Sequence, residues 1–95
     1  MKKTVVNIKH APKFEKQLLK APLDIKRAFR QRFALFLTDQ HYPLLHNHLL
    51  TGSFLGYRSI NVTGDWRALY KEVQLDDDTV IIEFHLLGTH SQLYR

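Results

Sequence analysis

Apolar positions recur at helical spacing in the first third of the chain and at strand spacing in the last third, with an irregular stretch between. From Thr4 to Lys9, Val5, Val6 and Ile8 alternate loosely with polar residues, which predicts a first strand. Pro12 suits the first position of a helix, and Phe14, Leu18 and Leu19 give that helix a narrow apolar stripe, ended by Ala21-Pro22. A second helix starts near Leu23-Asp24. In it Ile25, Ala28, Phe29, Phe33, Phe36 and Leu37 lie at offsets 0, 3, 4, 8, 11 and 12, a wide core-facing stripe, with Lys26, Arg27, Arg30 and Gln31 opposite. Periodicity is lost from Thr38 to Ser53. Asp39, Pro43, Asn47 and Gly52 punctuate this loop, and His41, His46 and His48 lie along it. Three strands are then predicted, Gly56–Val62, Asp65–Val73 and Thr79–Leu87, joined at Thr63-Gly64 and at Asp76-Asp77-Asp78 as an antiparallel meander. The last strand is almost continuously apolar, which predicts a central strand covered on both faces. The order β-α-α-β-β-β defines an α+β fold: two N-terminal helices packed on one face of a mainly antiparallel sheet. At 95 residues the chain, 1–95, forms a single domain with one core.

Composition narrows the chemistry. The absence of cysteine excludes disulfides, thiol catalysis and cysteine-based zinc sites, and fits a cytoplasmic location. The opening Met1-Lys2-Lys3-Thr4-Val5-Val6 is basic like the start of a signal peptide, but its apolar run stops after two valines. No run is long enough to span a membrane, and no membrane partner is expected. Charge is lopsided. Residues 1–37 carry ten Lys/Arg against Glu15 and Asp24, a balance of +8, whereas residues 38–95 carry four against seven acids, a balance of −3. A basic half can steer a polyanion or simply be a solvated helix surface, and charge alone names no partner.

The predicted hairpin supplies the first candidate site. A two-residue turn at Thr63-Gly64 pairs residues whose numbers sum to 127, placing Asn61 opposite Trp66, Ser59 opposite Ala68 and Tyr57 opposite Tyr70. If the helices cover the other face, Tyr57, Trp66 and Tyr70 form a surface able to stack bases; large aromatics more commonly pack a core. Asp65 at the tip either closes the turn by local hydrogen bonding or orients a nearby imidazole. His46 and His48 have the spacing of a metal pair, but Asp39 and His41 are irregularly placed further ligands, so no metal or other cofactor is expected. The alternative use of loop histidines is proton transfer. His90 and Tyr94, four apart in the terminal "GTHSQLYR", share a face whether that tail is helical or extended. Two imidazoles such as His48 and His90, with an aspartate and an arginine, form a metal-free ribonuclease set: one removes the ribose 2′-OH proton and the other protonates the departing 5′-oxygen.

The stretch "HNHLLTGSFLGYRSINVTGDWRALYKE" (46–72) with "LGTHSQLY" (87–94) resembles the YafQ-like branch of the RelE/ParE toxin superfamily. The likeness covers roughly the C-terminal half, and the β-α-α front end fits the same fold. It implies the toxin of a type II toxin–antitoxin pair, a ribosome-dependent, metal-independent endoribonuclease that cleaves mRNA through attack by the 2′-oxygen. By motif, His48, Asp65, His90 and Tyr94 fall on catalytic positions, with Tyr94 in place of a phenylalanine, and Trp66 completes an Asp-Trp pair. Lys13, Lys16, Lys20, Lys26, Arg27 and Arg30 match a basic helix surface expected to contact ribosomal RNA. Asn61 stands where the YafQ pattern often has a histidine, and it cannot titrate near neutrality. Arg58 and Arg67 are candidates for phosphate contact, although strand parity puts them on the face opposite Asn61. The implied partners are a small acidic antitoxin, mRNA and ribosomal RNA on the ribosome, and operator DNA only through the antitoxin. Two other readings remain open: a ParE-type gyrase inhibitor, and a weakened member acting mainly through antitoxin binding.

Overall fold

The computed structural model describes residues 5–94. The expected start of the first strand at Thr4 and the terminal Arg95 lie outside them. The elements run β1 (Val5–His10), α1 (Pro12–Lys20), α2 (Leu23–Thr38), β2 (His48–Leu49), β3 (Arg58–Asn61), β4 (Trp66–Asp76), β5 (Thr79–Thr89) and α3 (His90–Leu93), with single 3-10 turns at Pro43–Leu45 and Gly52–Phe54. The five strands form one sheet in the order β1-β5-β4-β3-β2. β1 runs parallel to β5, and every other pairing is antiparallel. The architecture is therefore the α+β arrangement expected, with two additions: the two-residue strand β2, inside a stretch predicted as loop, and α3, inside the terminal tail.

Both main helices pack on one face of the sheet. Phe14 of α1 and Ile25, Phe29 and Phe36 of α2 meet Ile60, Val62, Ala68, Tyr70, Val80, Ile82, Phe84 and Leu87 in a single core. Its centre is aromatic. Phe84 lies 5.5 Å from Phe14, 5.8 Å from Phe29, 5.5 Å from Phe36 and 5.4 Å from Tyr70, ring centre to ring centre. Such edge-on and tilted contacts add to plain area burial. Leu37 is an exception to the predicted stripe: it is exposed, because twelve residues after Ile25 the helix has rotated it to the stripe's margin. β5 is an interior strand between β1 and β4, not the middle one, and only one of its faces is fully covered, so burial alternates along it, where its apolar run predicts a central strand covered on both faces. Glu83 and His85 use the less covered face.

The hairpin between β3 and β4 corrects the predicted register by one residue. Asn61 pairs with Arg67, Ile60 with Ala68, Ser59 with Leu69 and Arg58 with Tyr70. Thr63 sets the difference. Its hydroxyl accepts hydrogen bonds from the backbone N–H of Asp65 (3.3 Å) and Trp66 (3.0 Å), and Val62 N–H donates to Trp66 O at 2.9 Å. The turn thus holds three residues, Thr63, Gly64 and Asp65, instead of two. Because side chains alternate with period 2, a one-residue slip moves every partner to the other face. Trp66 and Tyr70 accordingly belong to the helix-covered face, Tyr70 wholly buried and Trp66 packed at the core's edge, and the proposed stack of Tyr57, Trp66 and Tyr70 does not exist. Arg67 moves the other way, onto the face of Asn61, contrary to the parity argument above.

Candidate functional site

The sheet face away from α1 and α2 carries the candidate residues in rows that follow from the pairings. One row crosses the sheet through His48 (β2), Ser59 (β3), Leu69 (β4) and Leu86 (β5). The next, towards the hairpin tip, contains Asn61, Arg67 and Gly88. Beyond it Asp65 and His90 are joined, His90 N–H donating to the Asp65 carbonyl at 2.9 Å. This backbone bond locks the hairpin tip to the first residue of α3.

α3 is one turn long, far too short to persist alone. It is held by a capping box: the Thr89 hydroxyl accepts from Gln92 N–H (3.2 Å), and the Gln92 side-chain oxygen accepts from Thr89 N–H (2.9 Å). Tyr94 N–H donates to His90 O (2.9 Å), and the two rings lie 4.7 Å apart, on one face as the four-residue spacing requires. Phe54, from the second 3-10 turn, meets Tyr94 at 5.6 Å and Tyr57 at 5.9 Å. The terminal segment is thus folded onto the site.

Thr63 makes the local turn bonds that Asp65 was one candidate for. The Asp65 carboxylate consequently stays exposed and makes no hydrogen bond or ion pair among the described residues. Asn61 presents a different anomaly. Its side-chain oxygen is buried and lacks a hydrogen-bond partner among the described residues, and so does the Ser59 hydroxyl two residues before it. A buried acceptor left unpaired costs about 1–3 kcal/mol.

His48 is exposed on the edge strand. Its Nδ1 lies 2.9 Å from the His46 carbonyl, which can only accept, so Nδ1 donates this bond. The loop that delivers it is anchored by Asn47, a residue that reads in the sequence only as loop punctuation. Asn47 donates to Gln40 O (2.8 Å) and to the Tyr70 hydroxyl (2.6 Å), and accepts from Arg58 Nε (2.8 Å). Arg58 is thereby committed to the helix-covered side. Burial, opposed by the Asn47 hydrogen bond, pushes the Tyr70 hydroxyl pKa up. Arg67 donates through Nη1 to the carbonyls of Thr63 (3.0 Å) and Gly64 (3.1 Å), bracing the turn from Asn61's side.

The structure thus gathers Asp65, His90, Tyr94, Asn61 and Arg67 at one end of the sheet face away from the helices, called the open face below, with His48 across it beyond β3 and β4, where the intervening Ser59 and Leu69 are wholly buried. His48 and His90 make no direct contact. Trp66 instead lines a hollow with Gln17, Lys20, Leu87 and Leu93 on the helix side. Lys13, Lys16, Lys20, Arg27 and Arg30 are exposed and Lys26 half-buried, all on the two helices behind the sheet. Among the described residues no three His, Asp or Glu side chains gather to hold a metal ion, and His46 and His48 stand as a lone pair with rings 5.1 Å apart.

The fold is that of solved toxins of the RelE/ParE superfamily. Within it, the chain matches YafQ from E. coli strain BL21(DE3), with 25% identity, a TM-score of 0.69, and coverage of 94% of this chain and 98% of that one. It also matches the YafQ chain of the E. coli DinJ–YafQ complex, with 25% identity, a TM-score of 0.59 and coverage of 94% and 98%. A YoeB/ParE toxin from Agrobacterium tumefaciens shares the fold at 13% identity, with a TM-score of 0.69 and coverage of 88% and 98%. No family model matches the sequence, and neither does any curated protein.

Proposed function

We propose that this protein is the toxin of a type II toxin–antitoxin pair and a metal-independent endoribonuclease that cleaves mRNA on the ribosome in the cytoplasm. The observation that carries the reading is the end of the open face where the His90–Asp65 backbone bond sets an imidazole and an unpaired carboxylate beside Asn61 and Arg67. In the reaction, His48 Nε2 takes the proton of the ribose 2′-OH. The 2′-oxygen attacks phosphorus, the bond from phosphorus to the 5′-oxygen breaks, and His90 gives that oxygen a proton. The products are a 2′,3′-cyclic phosphate and a 5′-hydroxyl. Arg67 offsets the charge of the phosphorane, with Asn61 beside it in the same cross-strand row. Tyr94 fixes the His90 ring. RNA supplies its own nucleophile, so serine and cysteine are not needed.

E. coli YafQ crystallises with DinJ, and a comparable antitoxin is the proposed partner here. A groove of about 370 Å³ between α1 and α2 has an apolar floor that includes Leu18, Leu19 and Phe29, with Lys26 and Arg30 among its lining residues. It suits an acidic amphipathic segment. The basic helices lie behind the sheet, where they can hold ribosomal RNA while mRNA occupies the open face. Induction of the protein followed by primer extension on a cellular message tests the reading. Discrete cleavage that disappears in His90→Ala is the expected result, and intact transcripts in an arrested culture would refute it.

A further inference from the structure

Away from the hairpin tip, the open face carries a second group of functional side chains. Lys71 on β4 and Glu83 on β5 are direct cross-strand partners, and Lys9 on β1 is in register with Glu83 from the other side. Opposite charges so placed normally pair. Here they do not. The Glu83 carboxylate instead binds His85, with Oε1 2.7 Å from Nε2. Lys71 sits over the Tyr57 ring, Nζ 4.5 Å from its centre. The Tyr57 ring also meets His85 edge-on at 5.4 Å.

A strand irregularity makes this possible. Leu69 pairs with Leu86 while its neighbour Tyr70 pairs with Phe84, so His85 is an extra residue in β5 and reaches Tyr57 on the open face. The consequence is electrostatic. Glu83 is diverted to His85, and Lys71 is left as a cation with no carboxylate within ion-pair distance among the described residues, its position fixed by an aromatic ring. A continuous train of rings, His85, Tyr57, Phe54, Tyr94 and His90, joins this point to the site, each neighbouring pair between 4.7 and 5.9 Å apart. From Arg67 to Lys71 the face extends about 13 Å along β4. A group bound at Lys71 therefore belongs to a different nucleotide from the one cleaved.

We propose that Lys71, held over Tyr57 while Glu83 is occupied by His85, binds a backbone phosphate of single-stranded RNA flanking the scissile nucleotide. This rests on the reading of the open face as an RNA site, and it adds a subsite that extends the footprint along the sheet. Lys71 is a binding residue here; Tyr57 and Glu83 are positioning residues, one fixing the ammonium and the other kept from neutralising it.

The test is affinity against salt for short RNAs that cannot be cleaved, with 2′-O-methyl groups throughout and lengths of two to six nucleotides. For the wild type, affinity rises as the RNA lengthens past the scissile step. For Lys71→Met that gain disappears, and the slope of log affinity against log salt falls by about 0.7, the value for one phosphate on a single strand. Lys71→Arg restores the slope because it keeps both the charge and the ring contact, whereas a folding defect is not rescued in this way. Tyr57→Leu lowers the gain without lowering the slope by a full phosphate. An unchanged slope in Lys71→Met, with normal wild-type binding, would overturn the subsite and leave the nuclease reading intact. Absence of binding by the wild type to all of these RNAs would also overturn the subsite, while the nuclease reading falls only if primer extension on translating ribosomes shows no cleavage.

Discussion

At the scale of single residues, Asn61 separates stability from function. Its buried oxygen lacks a partner among the described residues, so Asn61→Leu should stabilise the fold by about 1 kcal/mol while weakening RNA cleavage at least tenfold. Thermal unfolding and a cleavage assay on the same preparation check the two directions. Tyr70 gives a pH prediction. Burial raises its pKa above the ordinary 10.0, so the folded chain holds this proton more tightly than the unfolded chain. That contribution is fully present below pH 10 and is lost as pH rises through the raised value. Denaturant titrations should show stability falling in that alkaline window, and Tyr70→Phe should flatten the fall. At neutral pH the same substitution costs about 0.5–1.5 kcal/mol through the lost Asn47 bond. Much at this scale was readable in the chain. The spacing of His90 and Tyr94 places them on one face under any regular backbone, and their rings do meet. The roles of Asn47 and His85 were not readable, because each depends on partners more than twenty residues away in sequence or on a strand irregularity that no local pattern marks.

At the scale of elements, helices and strands follow from periodicity, but the hairpin register does not. "NVTGDW" allows a two- or a three-residue turn, and Thr63, a side chain with two backbone partners, decides between them. That one residue transfers Trp66 to the helix side and Arg67 to the site. α3 hides a similar cue, since Thr-x-x-Gln at 89–92 is a capping-box pattern within what otherwise reads as a frayed tail. Thr89→Val should release α3, lowering cleavage strongly while global stability drops by no more than about 1 kcal/mol. Removal of residues 90–95 should abolish activity and leave the five-stranded sheet folded, as judged by circular dichroism. Asn47→Ala removes three hydrogen bonds at the base of the His48 loop and should cost about 2–3 kcal/mol.

At the scale of the molecule, the chain is two-sided. Its basic balance lies on the helices, and the candidate chemistry lies on the opposite face of the sheet. An enzyme working on isolated RNA would gain little from cations behind its active face; one that docks on a large polyanion while gripping a separate strand gains both surfaces. Charge reversal at Lys13, Lys16 and Lys20 should accordingly weaken ribosome association, measured by co-sedimentation, without changing affinity for a short uncleavable RNA. The central claim is cleavage by the two histidines on that open face. Primer extension on mRNA in translating ribosomes, with wild type beside His48→Ala and His90→Ala, tests it most directly. Discrete new 5′ ends are expected with the wild type, and a loss of about 10²–10⁴-fold in rate for each variant. Cleavage at undiminished rate in both variants, or none with the wild type, would contradict it.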